Sequence, residues 1–275
     1  MGENMNVFIY RNKSKDENDA VTKSLILALE RYSVDYKIIS AEDLAGEGCA
    51  DAIFVLGGDG TLLLLNEFAN KNGIPLIGIN IGKLGFLSEF ESYEIETAVK
   101  HFVDGELKCD QRIALEVNVL GKTFTAINDV YVQRLFSESL DSILPSVLVK
   151  ADGNKLISSK GDGMVISTPT GSTAYSLSAG GAILTPGVNA FIITPISAHS
   201  LSQRPVVYSS DGIFEICISG EVGVGVFVDG KCVAKLSNGE KFTIKKAQKQ
   251  TIFLRKKDFN FFKRLHMKLS GETGA

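Results

Sequence analysis

A short apolar run stops abruptly at a glycine-rich turn near residue 57, and this feature limits the folds open to the chain. Residues 51–56 read Asp-Ala-Ile-Phe-Val-Leu, residues 57–60 read Gly-Gly-Asp-Gly, and residues 61–72 have helical spacing of apolar positions. A strand that turns directly into a helix is the repeating unit of parallel α/β sheets. Other strand-like and helical runs alternate around it, at 6–10, 16–32, 36–39 and 74–79. The first 110 residues therefore predict an α/β domain with a parallel sheet and helices on its faces.

The pattern of the sequence changes near residue 111. From there to about residue 235 the chain consists of β-branched runs separated by turn sequences such as Asp152-Gly153, with little helical periodicity. We predict a second, mostly antiparallel β-rich domain over residues 111–250. Residues 251–275 resume a strand-like run and then a helix-like run, and we expect this tail to pack back on the α/β domain at 1–110.

The composition narrows the classes of partner. A net charge of −3 gives no general attraction to nucleic acid or to an anionic membrane, so we predict neither as a partner. No apolar run approaches the roughly 18 residues needed to span a bilayer. The four cysteines include no Cys-x-x-Cys pair. Such scattered cysteines indicate free thiols in a reducing compartment, so we expect a cytoplasmic protein without metal-ligating residues of its own.

The turn at residues 57–60 suits a phosphate site at the carboxyl end of a strand. Gly57 and Gly58 allow backbone N–H groups to approach a phosphate closely, and the N-terminus of the following helix adds partial positive charge. Asp59 would repel a phosphate, so its presence indicates another task. It could accept a proton from an attacking hydroxyl or hold Mg²⁺ that bridges phosphates, whereas a purely structural Asp59 would cap the helix.

A longer polar segment lies in the second domain. Residues 161–163 read Gly-Asp-Gly, residues 168–175 read Thr-Pro-Thr-Gly-Ser-Thr-Ala-Tyr, and residues 178–181 read Ser-Ala-Gly-Gly. Hydroxyl and glycine residues at this density can surround a nucleotide with hydrogen-bonding groups, and Tyr175 offers an aromatic face or a phenol to a base or ribose. The alternative is a surface loop that uses Ser, Thr and Gly for its turns.

Taken together, residues 57–60 and 168–175 resemble the NAD kinase family. Diacylglycerol, sphingosine and phosphofructokinase-like kinases share Gly-Gly-Asp-Gly, so the longer string is the part that distinguishes NAD kinases. Further matches follow in the family's order, at residues 84–87, 128–129, 195, 199–201, 204–205, 228–230 and 261–265. The resemblance covers the chain from about residue 50 to its C-terminus.

The resemblance implies a reaction and a set of site residues. The chain would transfer a phosphoryl group from ATP, or from another donor, to the adenosine 2′-hydroxyl of NAD, giving NADP, with Mg²⁺ or another divalent cation at the phosphates. Asp59 would accept the hydroxyl proton or orient the hydroxyl, and Gly60 would line the same site. Family members assemble as dimers or tetramers, so we expect a homodimer or homotetramer. The dinucleotide would be bound by Asn128 and Asp129 at a ribose, by Lys160 and Asp162 on the nicotinamide side, and by Thr170, Thr173, Ala174, Tyr175 and Ser178 around the adenosine.

Two departures from the family pattern and two alternative functions stay open at this point. Asp129 stands where many members have glutamate, and Leu64 stands where some have a basic residue.

A lipid kinase of the diacylglycerol or sphingosine type shares the first motif, but the Gly-Thr-Ala-Asn-Asp string of those families is missing here. A non-catalytic pyridine-nucleotide sensor would be expected to lack the base, and Asp59 is present. We also predict that residues 255–257, Arg-Lys-Lys, form a solvated charge cluster.

Overall fold

The computed structural model describes residues 5–82, 85–135 and 144–270. The chain divides into two compact units. The α/β unit contains the residues up to Gln111 together with those from Thr251 onward, and the β unit runs from Arg112 to Gln250. Leu84, in the matched segment 84–87, and the last five residues of the predicted tail lie outside the described residues.

Strands and helices alternate in the first part of the α/β unit, as the sequence predicts. The elements in chain order are β1 (Asn6–Arg11), α1 (Ala20–Arg31), β2 (Asp35–Ile39), β3 (Ala52–Gly57), α2 (Asp59–Asn72), β4 (Leu76–Asn80), β5 (Phe90–Glu91), α3 (Ile95–Val103) and β6 (Lys108–Arg112). The first five strands pair in parallel, in the order β2-β1-β3-β4-β5.

Helices cover both faces of this parallel sheet, because its central strands are apolar on both sides. Every residue of β3 is buried. Phe54 and Leu56 of β3 belong to one core cluster with residues of α1 and α3. On the opposite face, Phe68 of α2 packs against Phe8 of β1, with ring centroids 6.3 Å apart. Alternate residues of each strand thus pack against different helices.

The β unit contains two antiparallel sheets. Its elements in chain order are β7 (Leu115–Val119), β8 (Lys122–Ala126), β9 (Asp129–Arg134), β10 (Ser146–Ala151), β11 (Asn154–Lys160), β12 (Gly163–Ser167), α4 (Tyr175–Ser178), β13 (Ala190–Ile196), β14 (Val206–Ser209), β15 (Phe214–Ser219), β16 (Val224–Val228), β17 (Lys231–Leu236) and β18 (Lys241–Lys246). One sheet has the order β11-β10-β15-β18-β7-β8, and the other has the order β14-β13-β12-β9-β16-β17. Buried residues of both sheets form one core cluster, so the predicted antiparallel β-rich fold is confirmed.

The tail returns to the α/β unit, as predicted. Strand β19 (Thr251–Arg255) lies between β4 and β6, and helix α5 (Phe261–Leu269) follows it. Asn260 caps α5 by accepting a hydrogen bond from the Lys263 N–H at 3.1 Å. The prediction of a solvated cluster at residues 255–257 was wrong for Arg255, which lies in β19 and is fully buried. Its guanidinium pairs with Glu89 and Asp110, and these carboxylates compensate the buried charge.

Candidate functional site

The turn after β3 lies at the carboxyl edge of the parallel sheet, where ligands of open α/β sheets bind. Gly57, the last residue of β3, is aligned with Asn80, the last residue of β4. A Cβ atom at Gly57 would lie 2.3 Å from Thr61 Oγ1, so the turn into α2 is too tight for any residue but glycine. At Gly60 a Cβ atom would meet nothing within 4 Å. The turn therefore leaves open space in front of the helix N-terminus.

Asp59 does not cap helix α2. Gly58 occupies the N-cap position, and no side chain makes a capping bond there. The Asp59 carboxylate instead accepts hydrogen bonds from the backbone N–H groups of Phe86 at 2.7 Å, Leu87 at 3.0 Å and Ser88 at 3.4 Å. Hydrogen bonds from N–H groups to a carboxylate are shorter and stronger than those between neutral groups, so they fix its position. The helix-cap interpretation is therefore wrong, and the carboxylate is held, half-buried, at the sheet edge.

The backbone of residues 85–88 approaches the Asp59 carboxylate closely, and this approach requires glycine at position 85. A Cβ atom at Gly85 would lie 1.8 Å from Asp59 Oδ1 and 2.3 Å from its Cγ. No side chain fits there while Asp59 keeps its position. The match of residues 84–87 to the family pattern therefore has a physical reason at Gly85.

A cleft of about 940 Å³ opens at this edge of the α/β unit. It is lined by residues 10–15 at and after the end of β1, 38–42 around the end of β2, 58–61 and Leu64 at the start of α2, Gly85, and Lys268 of α5. Four basic side chains line it, those of Arg11, Lys13, Lys15 and Lys268, against the acidic Glu42 and Asp59. Arg11 pairs with Asp19, whereas no ion pair within the described residues engages the three lysines. The cleft is therefore predominantly cationic.

Sequence reasoning did not identify these lysines, although residues 11–15, Arg-Asn-Lys-Ser-Lys, directly follow a predicted strand. A Cβ atom at Gly58 would lie 3.5 Å from Lys15 Nζ, which brings the ammonium group to the backbone of the glycine turn. Leu64 lines the cleft with 53% exposure and adds no charge there. The positive charge in this cleft comes instead from the β1–α1 connection and from α5.

In the β unit, the segment 127–129 is held by Asp229. The Asp229 carboxylate accepts hydrogen bonds from the N–H groups of Ile127 at 2.9 Å, Asn128 at 2.8 Å and Asp129 at 3.2 Å. Asp229 itself adopts a left-handed backbone conformation, with φ of 45°. We call residues 127–129 the strap. The sequence pattern at 228–230 matches the family, and its aspartate fixes the predicted Asn128-Asp129 pair.

The predicted segment 168–175 packs against the strap and is not a solvated loop. Thr168 and Ser172 are fully buried. Thr168 Oγ1 donates to the Ile127 oxygen at 2.5 Å, and a Cβ atom at Gly171 would lie 2.0 Å from the Asn128 oxygen. The surface-loop alternative is therefore wrong, because the segment's hydroxyl groups are used inside the unit.

Two neighbouring carboxyl groups at the strap have raised pKa values. Burial, followed by the charge of Asp229, raises the pKa of Asp129 to about 7, although the Tyr175 N–H lowers it. Burial raises the pKa of Asp229 to about 6, against the effect of the strap N–H groups. Both carboxyl groups therefore ionise at a higher pH than an exposed aspartate does.

Tyr175 belongs to an aromatic cluster that the sequence did not reveal. Its ring meets Tyr131 edge-on at 4.9 Å between centroids, and Tyr131 stacks on Phe227 at 4.6 Å. Burial, then the charges of Asp162 and Asp129, raises the pKa of Tyr175. All three rings are half-buried and form an apolar wall beside polar groups, an arrangement suited to a nucleoside.

The other predicted site residues of the β unit lie at different depths. Thr170 is buried and accepts a hydrogen bond from Arg112 at 3.2 Å. Thr173 and Ala174 are half-buried before α4, and Ser178 is exposed at its end. Lys160 is exposed and lines a cleft of about 450 Å³ near Gly220. Asp162 pairs with Arg134 at 3.2 Å.

Across residues 5–82, 85–135 and 144–270, no group of three His, Cys, Asp or Glu side chains is arranged to hold a metal ion. No helix within these ranges is long and apolar enough to cross a membrane.

Family models match both units. Residues 7–107 match the ATP-NAD kinase N-terminal domain, and residues 127–256 match the ATP-NAD kinase C-terminal domain. The NAD kinase of Chlorobaculum tepidum is 34% identical over 279 residues, which cover 96% of each chain. The NAD kinase of Caldicellulosiruptor bescii is 33% identical, covering 96% of this chain and 99% of its own. The lipid-kinase alternative is set aside on these matches.

Two solved structures have similar folds. A yeast NADH kinase complexed with NADH superposes with a TM-score of 0.85 and 26% identity, covering 99% of this chain and 89% of its own. An NAD kinase from Archaeoglobus fulgidus in complex with ATP gives a TM-score of 0.79 at 24% identity, covering 97% of this chain and 99% of its own. At this level of identity, the similarity to the Archaeoglobus fulgidus structure shows a shared fold only.

Proposed function

The chain belongs to the ATP-NAD kinase family, and from this premise we propose how its residues perform the family's reaction, the phosphorylation of NAD to NADP. The observation that carries the proposal is the position of Asp59. Its carboxylate is held by the amide groups of 86–88 and lines a cleft that also contains three lysines without ion-pair partners in the described parts of the chain. A fixed carboxylate beside a phosphate-binding cleft fits a kinase that deprotonates a hydroxyl.

The cleft of the α/β unit would receive the phosphates of ATP. Lys13, Lys15 and Lys268 supply positive charge, and the glycine turn with the N-terminus of α2 supplies backbone N–H donors. These groups recognise phosphate rather than adenine. We propose ATP as the donor because both matching family models describe ATP-NAD kinase domains, and other triphosphates and polyphosphate are to be compared in the same assay.

Mg²⁺ would enter this cleft with the donor, as part of the substrate. Mg²⁺ is commonly held by one or two carboxylates together with substrate phosphates, and Asp59 and Glu42 are the carboxylates that line the cleft. The residues present thus fit a cation carried by the donor. When bound, the cation neutralises charge on the phosphates.

Asp59 would act on the adenosine 2′-hydroxyl of NAD. Its carboxylate accepts the hydroxyl proton while the oxygen attacks the terminal phosphorus of the donor. The new O–P bond forms as the bond to the leaving diphosphate breaks, so ATP and NAD give ADP and NADP. The N–H groups of 86–88 fix the direction of the carboxylate, and positioning is a main source of rate enhancement in phosphoryl transfer.

The β unit would bind the dinucleotide. Support comes from the strap, which Asp229 orders, and from the aromatic cluster around Tyr175. We assign Asn128 and Asp129 to a ribose, and Asp162 with Lys160 to the nicotinamide side, where Lys160 rests on the family resemblance alone. The adenosine would contact Thr170, Thr173, Ala174, Tyr175 and Ser178.

We further propose a cytoplasmic homodimer or homotetramer. Cys49, Cys109 and Cys232 are exposed free thiols, which suits a reducing compartment. Oligomer formation is inherited from the resemblance to the family. Light scattering on the eluted protein at micromolar concentration measures the assembly, and a monomer would contradict this part of the proposal.

The experiment that tests the reaction compares Asp59→Asn with wild type in a coupled assay. Purified protein is incubated with NAD, ATP and Mg²⁺, and NADP is read through an NADP-specific dehydrogenase. We expect wild type to form NADP, and the variant to lose about 100-fold or more in kcat because the proton acceptor is gone. Binding of NAD, measured by calorimetry, should change by less than about threefold.

Glu67→Gln is the matched control, because Glu67 is an exposed carboxylate on the same helix, α2, and does not line the cleft. It removes the same charge, and we expect kcat within about threefold of wild type. A D59N variant with wild-type kcat would exclude Asp59 as the proton acceptor. NAD binding without NADP formation, with any donor, would indicate the non-catalytic sensor.

A further inference from the structure

Two arginines of the C-terminal tail are buried against the segment that donates to Asp59. Arg255 in β19 is fully buried, and Arg264 in α5 is 8% exposed. Arg264 Nη1 donates to the carbonyl oxygens of Gly85 and Ser88, both at 3.1 Å. Buried guanidinium groups that donate to backbone carbonyls hold a short segment in one conformation.

One peptide unit connects Arg264 directly to Asp59. A trans peptide points its C=O and its N–H in opposite directions, and the described residues contain no cis peptide. In the unit that joins Gly85 to Phe86, the oxygen accepts from Arg264 at 3.1 Å and the N–H donates to Asp59 at 2.7 Å. The guanidinium and the carboxylate therefore sit at the two ends of the same peptide dipole.

A second peptide unit repeats this arrangement. The Leu87 oxygen accepts from Arg255 Nη1 at 3.2 Å, and the N–H of the next residue, Ser88, donates to Asp59 at 3.4 Å. A cation at the oxygen end of a peptide polarises it and strengthens its N–H as a donor. Each arginine thus begins a chain of two hydrogen bonds that ends on the carboxylate.

Glu89 and Phe259 hold the two arginines together. Glu89 Oε2 lies 3.1 Å from Arg255 Nη1 and 3.7 Å from Arg264 Nη2, and the Phe259 ring centre lies 4.2 Å from Arg255 Cζ and 5.8 Å from Arg264 Cζ. Burial lowers the pKa of Arg264, while the negative charges of Glu89 and Asp59 oppose that effect. Arg264 therefore interacts with Asp59 through space as well as through the peptide.

We propose that Arg264, supported by Arg255, is a positioning residue that orients the peptide units holding Asp59 without touching the substrate. The inference rests on the proposed role of Asp59 as proton acceptor. It gives the tail a task in the reaction beyond completing the sheet. It also accounts for Arg264 within the family-matching string 261–265, which the transfer chemistry alone leaves without a role.

A double-mutant cycle in the full-length enzyme tests this role. Arg264→Met is made in the wild-type and D59N backgrounds, and kcat and the KM for NAD are measured from NADP formation. In the wild-type background we expect kcat to fall roughly 10- to 100-fold, because a displacement of about 1 Å can cost about 100-fold. The KM for NAD should stay within about threefold, and in the D59N background the same change should alter kcat by less than about twofold.

Two further variants serve as a control and as a conservative substitution. Lys263→Gln removes a positive charge from the neighbouring, exposed residue of α5, and we expect no change in either background. Arg264→Lys keeps the charge but loses the forked donor geometry, so kcat should fall by about three- to tenfold, again only when Asp59 is present. If R264M does not fold, as judged by circular dichroism, R264K decides by the same criterion.

The inference is overturned if the arginine variants keep wild-type kcat, or if they lose the same factor in both backgrounds. Either result would make Arg264 a structural anchor for the tail. Wild-type kcat in D59N alone would remove the proposed role of Asp59 itself. A strong loss in D59N together with additive losses in the Arg264 variants would refute only the positioning role.

Discussion

Replacing Gly85 with alanine should displace the Asp59 carboxylate, or the backbone segment that holds it, by an amount that can be worked out from the structure. The added Cβ atom would lie 1.8 Å from Asp59 Oδ1, whereas ordinary van der Waals contact begins at 3.4 Å. The carboxylate or the 85–88 backbone must therefore move by about 1.6 Å. The backbone angle is not the obstacle, because Gly85 is absent from the positive-φ glycines.

This displacement should appear in turnover rather than in substrate affinity. A misplacement of about 1 Å between reacting groups can cost about 100-fold, so we expect kcat of Gly85→Ala to fall by about 100-fold or more. The N–H groups of 86–88 lose their acceptor in part, which should lower the free energy of unfolding by about 1–3 kcal/mol. The KM for NAD should change by less than about threefold, because the dinucleotide is assigned to the β unit.

The assay is NADP formation at saturating NAD and ATP, with urea denaturation of the same samples. Gly187→Ala is the control for adding a methyl group, since a Cβ atom there would meet nothing within 4 Å. A G85A variant that is folded and keeps kcat within about threefold of wild type would refute the steric argument.

Two more perturbations test the charges of the site. The pKa of Asp129 is raised to about 7 in the folded chain. Between pH about 4 and about 7 this carboxyl is ionised mainly in the unfolded chain, so the free energy of unfolding should fall as the pH rises through that range. Asp129→Asn removes the cost of burying this charge and should raise the free energy of unfolding at pH 8 by on the order of 2 kcal/mol. Urea denaturation should show that the gain shrinks toward pH 5. A gain that does not depend on pH would contradict the burial of a charged carboxyl group. Lys15→Gln should raise the KM for ATP by about tenfold, because a charge-assisted phosphate contact is lost. Lys23→Gln on α1, outside the cleft, is its control, and equal KM values in the two variants would exclude Lys15 from the phosphate site.

Short-range features of this protein were predictable from its sequence. The run 51–56, the glycine turn and the helix that follows form β3 and α2 as expected, because strand and helix periods differ and glycine marks the change. Asp152-Gly153 adopts φ values of 51° and 81° between β10 and β11, as expected of a two-residue hairpin turn. Helix α3 was missed, although Ile95, Ala98 and Val99 have helical spacing and are buried.

Long-range partners were not predictable, because no local preference identifies them. Asp59 was visible in the glycine turn, but its donors lie 27 to 29 residues away. Asp229 was visible within a family-matching string, but the strap that it holds is about 100 residues away. Arg255 stands in a basic run that local charge patterning assigns to solvent, and only the pairing of β19 buries it.

The place of β19 has a consequence for how the protein is made. β19 is inserted between β4 and β6, although the whole segment 113–250 is synthesised after β6 and before β19. While the chain emerges from the ribosome, the part of the β4 edge around Leu76 that later receives β19 has no partner strand, because β5 pairs only with Ile79 and Asn80. Such unpaired edges invite pairing with other chains. A prematurely ended chain would keep that edge open and would also lack the arginines behind Asp59. Incomplete products should therefore be both inactive and recognisable to chaperones and proteases.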